Sequence, residues 1–356
     1  MTNIENMKNM EKYIEKLYKF FIKDIDVFVN TKYSIKKIDD EKIKDKIKFK
    51  LNDNIFVSNI IKSKVSADFN EMYYVEIENN YVWFITDKNK IDKKTVDIVI
   101  KRILHIKKVY SIDASTKPLY IYIWLTDFKK TLPKKGEIIG ADNANGGYNE
   151  GNTILIWRKE ELPKVLIHEL LHSFNCQLQL FNKISSNNNS NSNKNYIKKK
   201  FNIKGSFSVD ESYVETLATI YNCVYCCIEN GKILPLDYLL TFLNNERIFS
   251  VRQVNKILNH YNIHNLRELD IEYGNGNIVF KQDTNIFSYY IIKMLLLNNM
   301  DEFMKFMDKN ICKYDIKKYN KLIIDSYKKY DIVYNNNGNN KMDRGLRMTI
   351  TESNIL

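Results

Sequence analysis

The chain has 356 residues, with 55 Lys and Arg against 43 Asp and Glu, and a formal net charge of +12. With 44% hydrophobic and 28% charged residues it has the composition of a folded chain rather than a disordered one, and its length suits one large domain or two. Eleven Gly and four Pro exclude collagen-like and Pro-rich designs, and five Cys are no disulfide framework and leave one thiol unpaired.

Residues 1–30 are expected to be helical, because Ile14, Leu17, Tyr18, Phe21, Ile25 and Phe28 recur at helical spacing. The segment is punctuated by Lys and Glu and has no continuous apolar core, unlike a signal peptide. From Lys46 to Thr86 the pattern turns β-like. Ile47, Phe49 and Leu51 alternate with lysines and predict a strand, and Ile55-Phe56-Val57 follows a turn. Tyr73–Ile77 and Tyr81–Ile85 flank Glu78-Asn79-Asn80 as a hairpin. Asp92–Lys108 returns to helix, and Leu119–Leu125 is apolar enough for a central strand. After the turn-rich Gly140–Tyr148 stretch, Thr153–Trp157 is a second strand, and a helix starts near Pro163, a favoured first-turn residue. Helices then dominate from Asp210 to about Tyr330.

No stretch approaches the ~18 uninterrupted apolar residues of a membrane span, and the greasiest, Tyr289–Leu297, is broken by Lys293. The expectation is a soluble, cytoplasmic protein without a membrane partner. Lys, Asn and Ile are over-used along the whole chain, and Lys198-Lys199-Lys200 is only a small local run. The basic charge therefore does not by itself make nucleic acid the primary partner.

The informative segment is Val165-Leu166-Ile167-His168-Glu169-Leu170-Leu171-His172-Ser173-Phe174, which contains His-Glu-x-x-His. On a helix the two histidines are one turn apart, so both imidazoles reach one metal ion, and Glu169 falls in the same stripe. The rest of the helix is apolar, and buried imidazoles need partners that Zn²⁺ with its water supplies. Two core histidines bonded to backbone carbonyls are the alternative.

Zinc requires a third protein ligand. A third His six residues after His172 is missing, since Leu178 stands there. The next source is Asp210–Ala218, where Glu211 and Glu215 are one turn apart on the edge of an apolar stripe. Glu211 is preferred as the ligand, with Glu215 holding a ligand His through its other ring nitrogen, and both are expected near the metal. Alternatively, Glu211 closes a capping box with Ser208 and Glu215 is an exposed helical glutamate. Candidates for oxyanion stabilisation are Tyr289, Tyr290, His260 and His264, with core packing as the alternative for each Tyr. His260 and His264 would also be one turn apart on a helix. The Asn143–Tyr148 loop is either a plain turn or the entry to an edge strand that pairs with an extended substrate. Cys223, Cys226 and Cys227 read as buried thiols, and Cys176 as a core residue on the histidine stripe.

His168-Glu169-x-x-His172 followed by a helical Glu-x-x-x-Glu resembles the gluzincin branch of zinc metallopeptidases. Asn145-Gly146-Gly147, Trp157–Glu161, Lys164–Glu169, Glu211–Glu215 and Asn285–Tyr290 are similar to metallopeptidase-like proteins encoded by large DNA viruses, over roughly residues 95–300. The 38 residues between His172 and Glu211 depart from the short-linker gluzincins. The resemblance implies zinc-dependent hydrolysis of a peptide or protein substrate with Glu169 as general base, in host cytoplasm if the chain is viral.

The fold expected is α+β, a zincin-like core with a small sheet on the buried helix carrying the two histidines and a helical C-terminal half. Residues 1–90 would be an accessory α/β region and 91–330 the catalytic domain. A disordered Asn/Ser-rich insertion is expected near 185–197, and a polar tail over 331–356. A catalytically inactive zincin fold that binds nucleic acid through its basic charge is the alternative from another class.

Overall fold

A computed structural model describes residues 2–88, 90–110, 117–174, 195–229, 233–274, 276–310, 315–330 and 343–351, apart from the side chains of 2–9 and 308–310. It is a mixed α+β structure. The chain runs α1 (Thr2–Ile22), α2 (Asp26–Asn30), β1 (Lys36–Ile38), α3 (Glu41–Asn52), α4 (Asn59–Asp68), β2 (Glu71–Ile77), β3 (Asn80–Thr86), α5 (Lys93–Val109) and β4 (Leu119–Trp124). It continues through α6 (Ala141–Ala144), β5 (Gly147–Glu150), β6 (Thr153–Ile156), α7 (Leu162–Ser173), α8 (Tyr196–Lys200), β7 (Ile203–Gly205), α9 (Asp210–Ile228) and α10 (Leu236–His260). The remainder is β8 (Phe280–Gln282), a π-helical turn over Phe287–Ile292, α11 (Lys293–Asn298), α12 (Met300–Asn310) and α13 (Ile316–Lys329).

One six-stranded sheet, in the order β1-β2-β3-β4-β6-β5, organises the N-terminal half. β4 pairs parallel with both β3 and β6, and the outer neighbours pair antiparallel. The expected hairpin is β2–β3, turned by Glu78 and Asn79 at φ of 45° and 60°. Alternation decides what each face meets. Val82, Phe84, Ile121, Ile123, Ile154 and Ile156 point to the main core under α5 and α7, whereas Met72, Ile85, Trp124, Leu155 and Trp157 point to a second cluster with residues of α3 and α4. β4 is thus apolar on both faces, as an interior strand must be. Because β3 pairs with β4, the sheet runs across the residue-90 boundary expected from the sequence.

The strand expected over Ile47–Leu51 is instead part of α3. Asp40 caps it by accepting from the Lys42 and Ile43 N–H groups. Ile47 and Leu51, one turn apart, are buried, while Phe49 between them is 63% exposed. Period-2 alternation over so few residues also satisfies an i, i+4 helical pair, and the cap decides between them. Ile55–Val57, which follows, forms no strand. The helix expected over 1–30 is broken at Lys23–Ile25 into α1 and α2.

The expected insertion up to residue 194 and Cys176 lie outside the described residues. Of the expected polar tail, 343–351 is packed into the protein: Leu346, Met348, Thr349 and Thr351 are buried. No described helix is long and apolar enough to cross a membrane.

Candidate metal centre

α7 is buried on almost every side. Leu166, Ile167, Leu170 and Leu171 are all fully buried, and replacing such a leucine by Ala costs about 2–5 kcal/mol. Pro163 sits in its first turn, where a missing N–H costs nothing. Glu161 precedes the helix at φ 60°, a left-handed conformation unusual for a glutamate. Rigid packing fixes the one polar stripe, which carries Lys164, His168 and His172 at four-residue intervals.

α9 packs along α7 and brings its two glutamates to that stripe. His168 Nε2 and His172 Nε2 are 3.0 Å apart. Glu211 Oε2 lies 3.3 Å from the first and 3.4 Å from the second. A tetrahedral centre with bonds of about 2.0–2.1 Å separates its ligands by about 3.3 Å, so this triangle has the dimensions of three zinc ligands with a fourth position open. Glu211 Oε2 is moreover buried with no hydrogen-bond partner among the described residues. A buried carboxylate oxygen that meets the two imidazoles but accepts no hydrogen bond is under-satisfied, and a cation at the triangle's centre would satisfy it. The donor set, two imidazoles and a carboxylate, fits Zn²⁺.

Glu215 occupies the other side of His168. Its Oε2 accepts from His168 Nδ1 at 3.0 Å. Its Oε1 is paired with Lys164 and, at 3.4 Å, with Lys293. Burial opposes ionisation of Glu215, but Lys164, Lys293 and His168 hold its carboxyl well below the usual carboxylate range. Glu211 is likewise held low against burial, by His172 and His168. For His168 burial disfavours the imidazolium, yet the carboxylates of Glu211 and Glu215 beside it raise it to about 9. A metal would take the Nε2 lone pair in place of that proton, while Glu215 keeps the Nδ1 proton and the ring's orientation. The capping box between Ser208 and Glu211 is not formed: Val209 is the N-cap residue of α9 and makes no side-chain cap.

Glu169 places a carboxylate oxygen within 4.8 Å of the two histidine nitrogens. Burial raises its pKa. It borders a cavity of about 30 Å³ with Gly147, Lys164, His168, Glu215 and Tyr289, room for one or two waters. A Cβ on Gly147 would meet Glu169 Oε1 at 2.6 Å and Val165 Cγ1 at 2.8 Å, so β5 rests on the glutamate only because that residue is glycine. Asn149, two residues on and on the same face, donates to Ser173 Oγ at 2.6 Å and to the Glu169 carbonyl at 3.3 Å. β5 is the last strand of the sheet. The Gly146 carbonyl accepts from Trp157 of the neighbouring chain segment, so Gly147 and Asn149 turn their own N–H and C=O groups to the open edge.

Tyr289 lies in the π-helical turn, its ring centroid 6.0 Å from that of His168, and borders the same cavity. Such turns recur at functional sites because they re-aim one side chain. The other candidates are elsewhere. The Tyr290 hydroxyl donates to the Leu346 carbonyl at 2.6 Å inside the core. His260 ends α10 with Nε2 bonded to the Glu137 carbonyl at 2.7 Å, and His264 stands on the exposed turn beyond it, so the two do not share a helix. None of these three borders the cavity. Cys223 and Cys227 are buried free thiols, and burial raises both. Sequence reasoning missed Lys164 and Lys293, which hold Glu215. The signal was spacing, since Lys164 precedes His168 by one turn.

Compared with known proteins, the chain matches no family model, no curated protein and no solved structure.

Proposed function

We propose that the chain is a zinc-dependent metallopeptidase built on a zincin-like core, with His168, His172 and Glu211 as the protein ligands. The observation that carries this reading is the triangle of two imidazole nitrogens and a buried carboxylate oxygen that has no hydrogen-bond partner among the described residues, with Glu169 beside it. The resemblance of these segments to gluzincins and to metallopeptidase-like proteins of large DNA viruses points the same way.

When bound, the metal supplies Lewis acidity and lowers the pKa of a water towards neutrality. The chain's own groups then divide the work. Glu169 accepts the water's proton and delivers it to the leaving amine, a task helped by burial, which raises its pKa above the ordinary carboxylate value. The Tyr289 hydroxyl donates to the oxygen on which negative charge develops. Glu215 keeps His168 in the tautomer that leaves Nε2 bare. The outward backbone groups of Gly147 and Asn149 pair with an extended substrate by strand addition, which recognises a peptide through its main chain. The lysines nearest the centre do not offer a nucleic-acid surface: Lys130, Lys164 and Lys293 are buried in ion pairs with Glu161 and Glu215.

The test is elemental analysis of purified protein together with hydrolysis of an unfolded protein substrate. The expected result is one zinc per chain and hydrolysis that a chelator stops. Glu169→Gln should keep the zinc and lose hydrolysis. Protein that takes up no stoichiometric zinc after reconstitution would overturn the proposal.

A further inference from the structure

Residues 343–351 run as an irregular segment with bends at Met348 and Ile350, and the groups that meet them come from five separate parts of the chain. The Leu346 N–H donates to the Lys130 carbonyl, and the Leu132 N–H to the Arg344 carbonyl, both at 2.8 Å. The Met348 and Thr349 N–H groups both donate to Glu161 Oε1 at 2.6 Å. Those of Ile350 and Thr351 donate to Glu246 Oε1 at 3.1 and 2.8 Å. The carbonyls are met by donors: Leu346 by the Tyr290 hydroxyl, Met348 by Lys293 Nζ, and Thr351 by Asn222 Nδ2. Glu161, Glu246, Lys293, Tyr290 and Asn222 are all at most 2% exposed.

A carboxylate buried in apolar surroundings demands donors, and Glu246 gives its Oε1 to this segment alone among the described residues. Glu161 and Glu246 each take two successive backbone N–H groups, which side-chain identity does not alter. We infer that these residues form a buried receptor for a bent peptide main chain, and that residues 343–351 are its ligand, bound in cis. The receptor adjoins the candidate centre. Lys293 divides its ammonium between the Met348 carbonyl and Glu215, and Glu215 holds His168. Glu161, whose carboxylate the segment and Lys130 satisfy, is the left-handed residue that starts α7. Seating the segment therefore sets Glu215, and through it the ring that is to meet the metal. That last step rests on the metallopeptidase reading; the binding does not.

The test compares Ile350→Pro with Ile350→Ala in the full chain. The Ile350 side chain is 43% exposed, so Ala removes little, whereas Pro removes the N–H that Glu246 accepts. Amide hydrogen exchange is read without metal. In the parent and in Ile350→Ala the amides of Met348, Thr349 and Thr351 should exchange at least about 10³-fold more slowly than in a free peptide, as global unfolding requires. In Ile350→Pro that protection should collapse for the segment, and zinc affinity should fall by about 10-fold or more. In a second arm, 1–342 and 343–356 are produced together as separate chains and should purify as a one-to-one complex. Free-peptide exchange rates in the parent, or a folded 1–342 that purifies without the second piece, would overturn the inference. A parent protein that protects these amides but binds no zinc would overturn the metallopeptidase reading alone.

Discussion

The two glutamates of α9 are one turn apart and chemically identical, yet their surroundings predict opposite responses to the same amide substitution. Glu215 is the anion for two buried lysines and accepts from His168 Nδ1. Glu215→Gln removes the carboxylate that ion-pairs with both lysines, and breaking a buried pair in this way costs about 3–5 kcal/mol of folding stability. Its effect on zinc is indirect, through the orientation of His168, and such supporting carboxylates are worth about 10–100-fold in metal affinity. Glu211→Gln should do the reverse. Its Oε2 faces the two imidazoles at 3.3 and 3.4 Å and has no lysine ion pair among the described residues, so stability without metal should fall by less than in Glu215→Gln. Zinc, however, loses its one charged protein ligand, and affinity should fall by more than the roughly 100-fold limit set by an outer carboxylate. Zinc competition against a chromophoric chelator at neutral pH gives the affinities, and urea unfolding in chelator gives the stabilities. The crossed pattern is the expected outcome. Glu211→Gln with parental zinc affinity beside a stable Glu215→Gln that binds no zinc would refute the assignment of roles.

Gly147→Ala should leave zinc bound but displace Glu169, whose Oε1 would lie 2.6 Å from the new methyl; hydrolysis should drop sharply and unfolding show a loss of about 1–3 kcal/mol. Tyr289→Phe should lower kcat by about 10²–10³-fold with zinc content unchanged, as expected for loss of one oxyanion donor, and an unchanged kcat would remove Tyr289 from the mechanism. His105, distant in sequence from this centre, predicts a pH dependence of folding. It is buried, with Nε2 3.0 Å from the Phe21 carbonyl and Nδ1 3.1 Å from the Tyr225 hydroxyl, and burial lowers its pKa from 6.5 to about 4. Between those values the unfolded chain binds the proton and the folded chain does not, so stability falls as pH drops through that window, by up to about 3 kcal/mol. Urea titrations at pH 7 and 5 should show a smaller difference for His105→Gln than for the parent, and an equal one would mean that His105 is not buried as a neutral ring.

What could be read from the sequence followed periodicity over long segments. The β2–β3 hairpin, the central strand β4 and the apolar helix with its two histidines need only local pattern, and each is found at the expected residues. Ile47–Leu51 misleads because five residues fit both periods, and the deciding group, Asp40, lies outside them. The proximity of Glu211 to the histidines was open to inference because a helix repeats every turn. Which of the two glutamates meets which ring nitrogen was not, since it depends on how α9 lies against α7.

The buried cations and the C-terminal segment were illegible for a further reason. Lys130, Lys164 and Lys293 look like three more solvated lysines in a chain with 55 basic residues, and burial of each is decided by a carboxylate distant in sequence. Likewise 343–351 shows no apolar periodicity, because much of what holds it, beside the buried Leu346 and Met348, is its backbone, which every sequence has. A segment bound through N–H and C=O groups leaves its signature in the receptor: a glutamate before α7 in a left-handed conformation, and another in α10 with an oxygen devoted to three consecutive residues of the segment. Those same receptor groups border the residues that orient His168. The packing of an apparently featureless terminus and the geometry of the candidate metal centre are therefore one electrostatic problem, in which charges that would be costly singly are satisfied together.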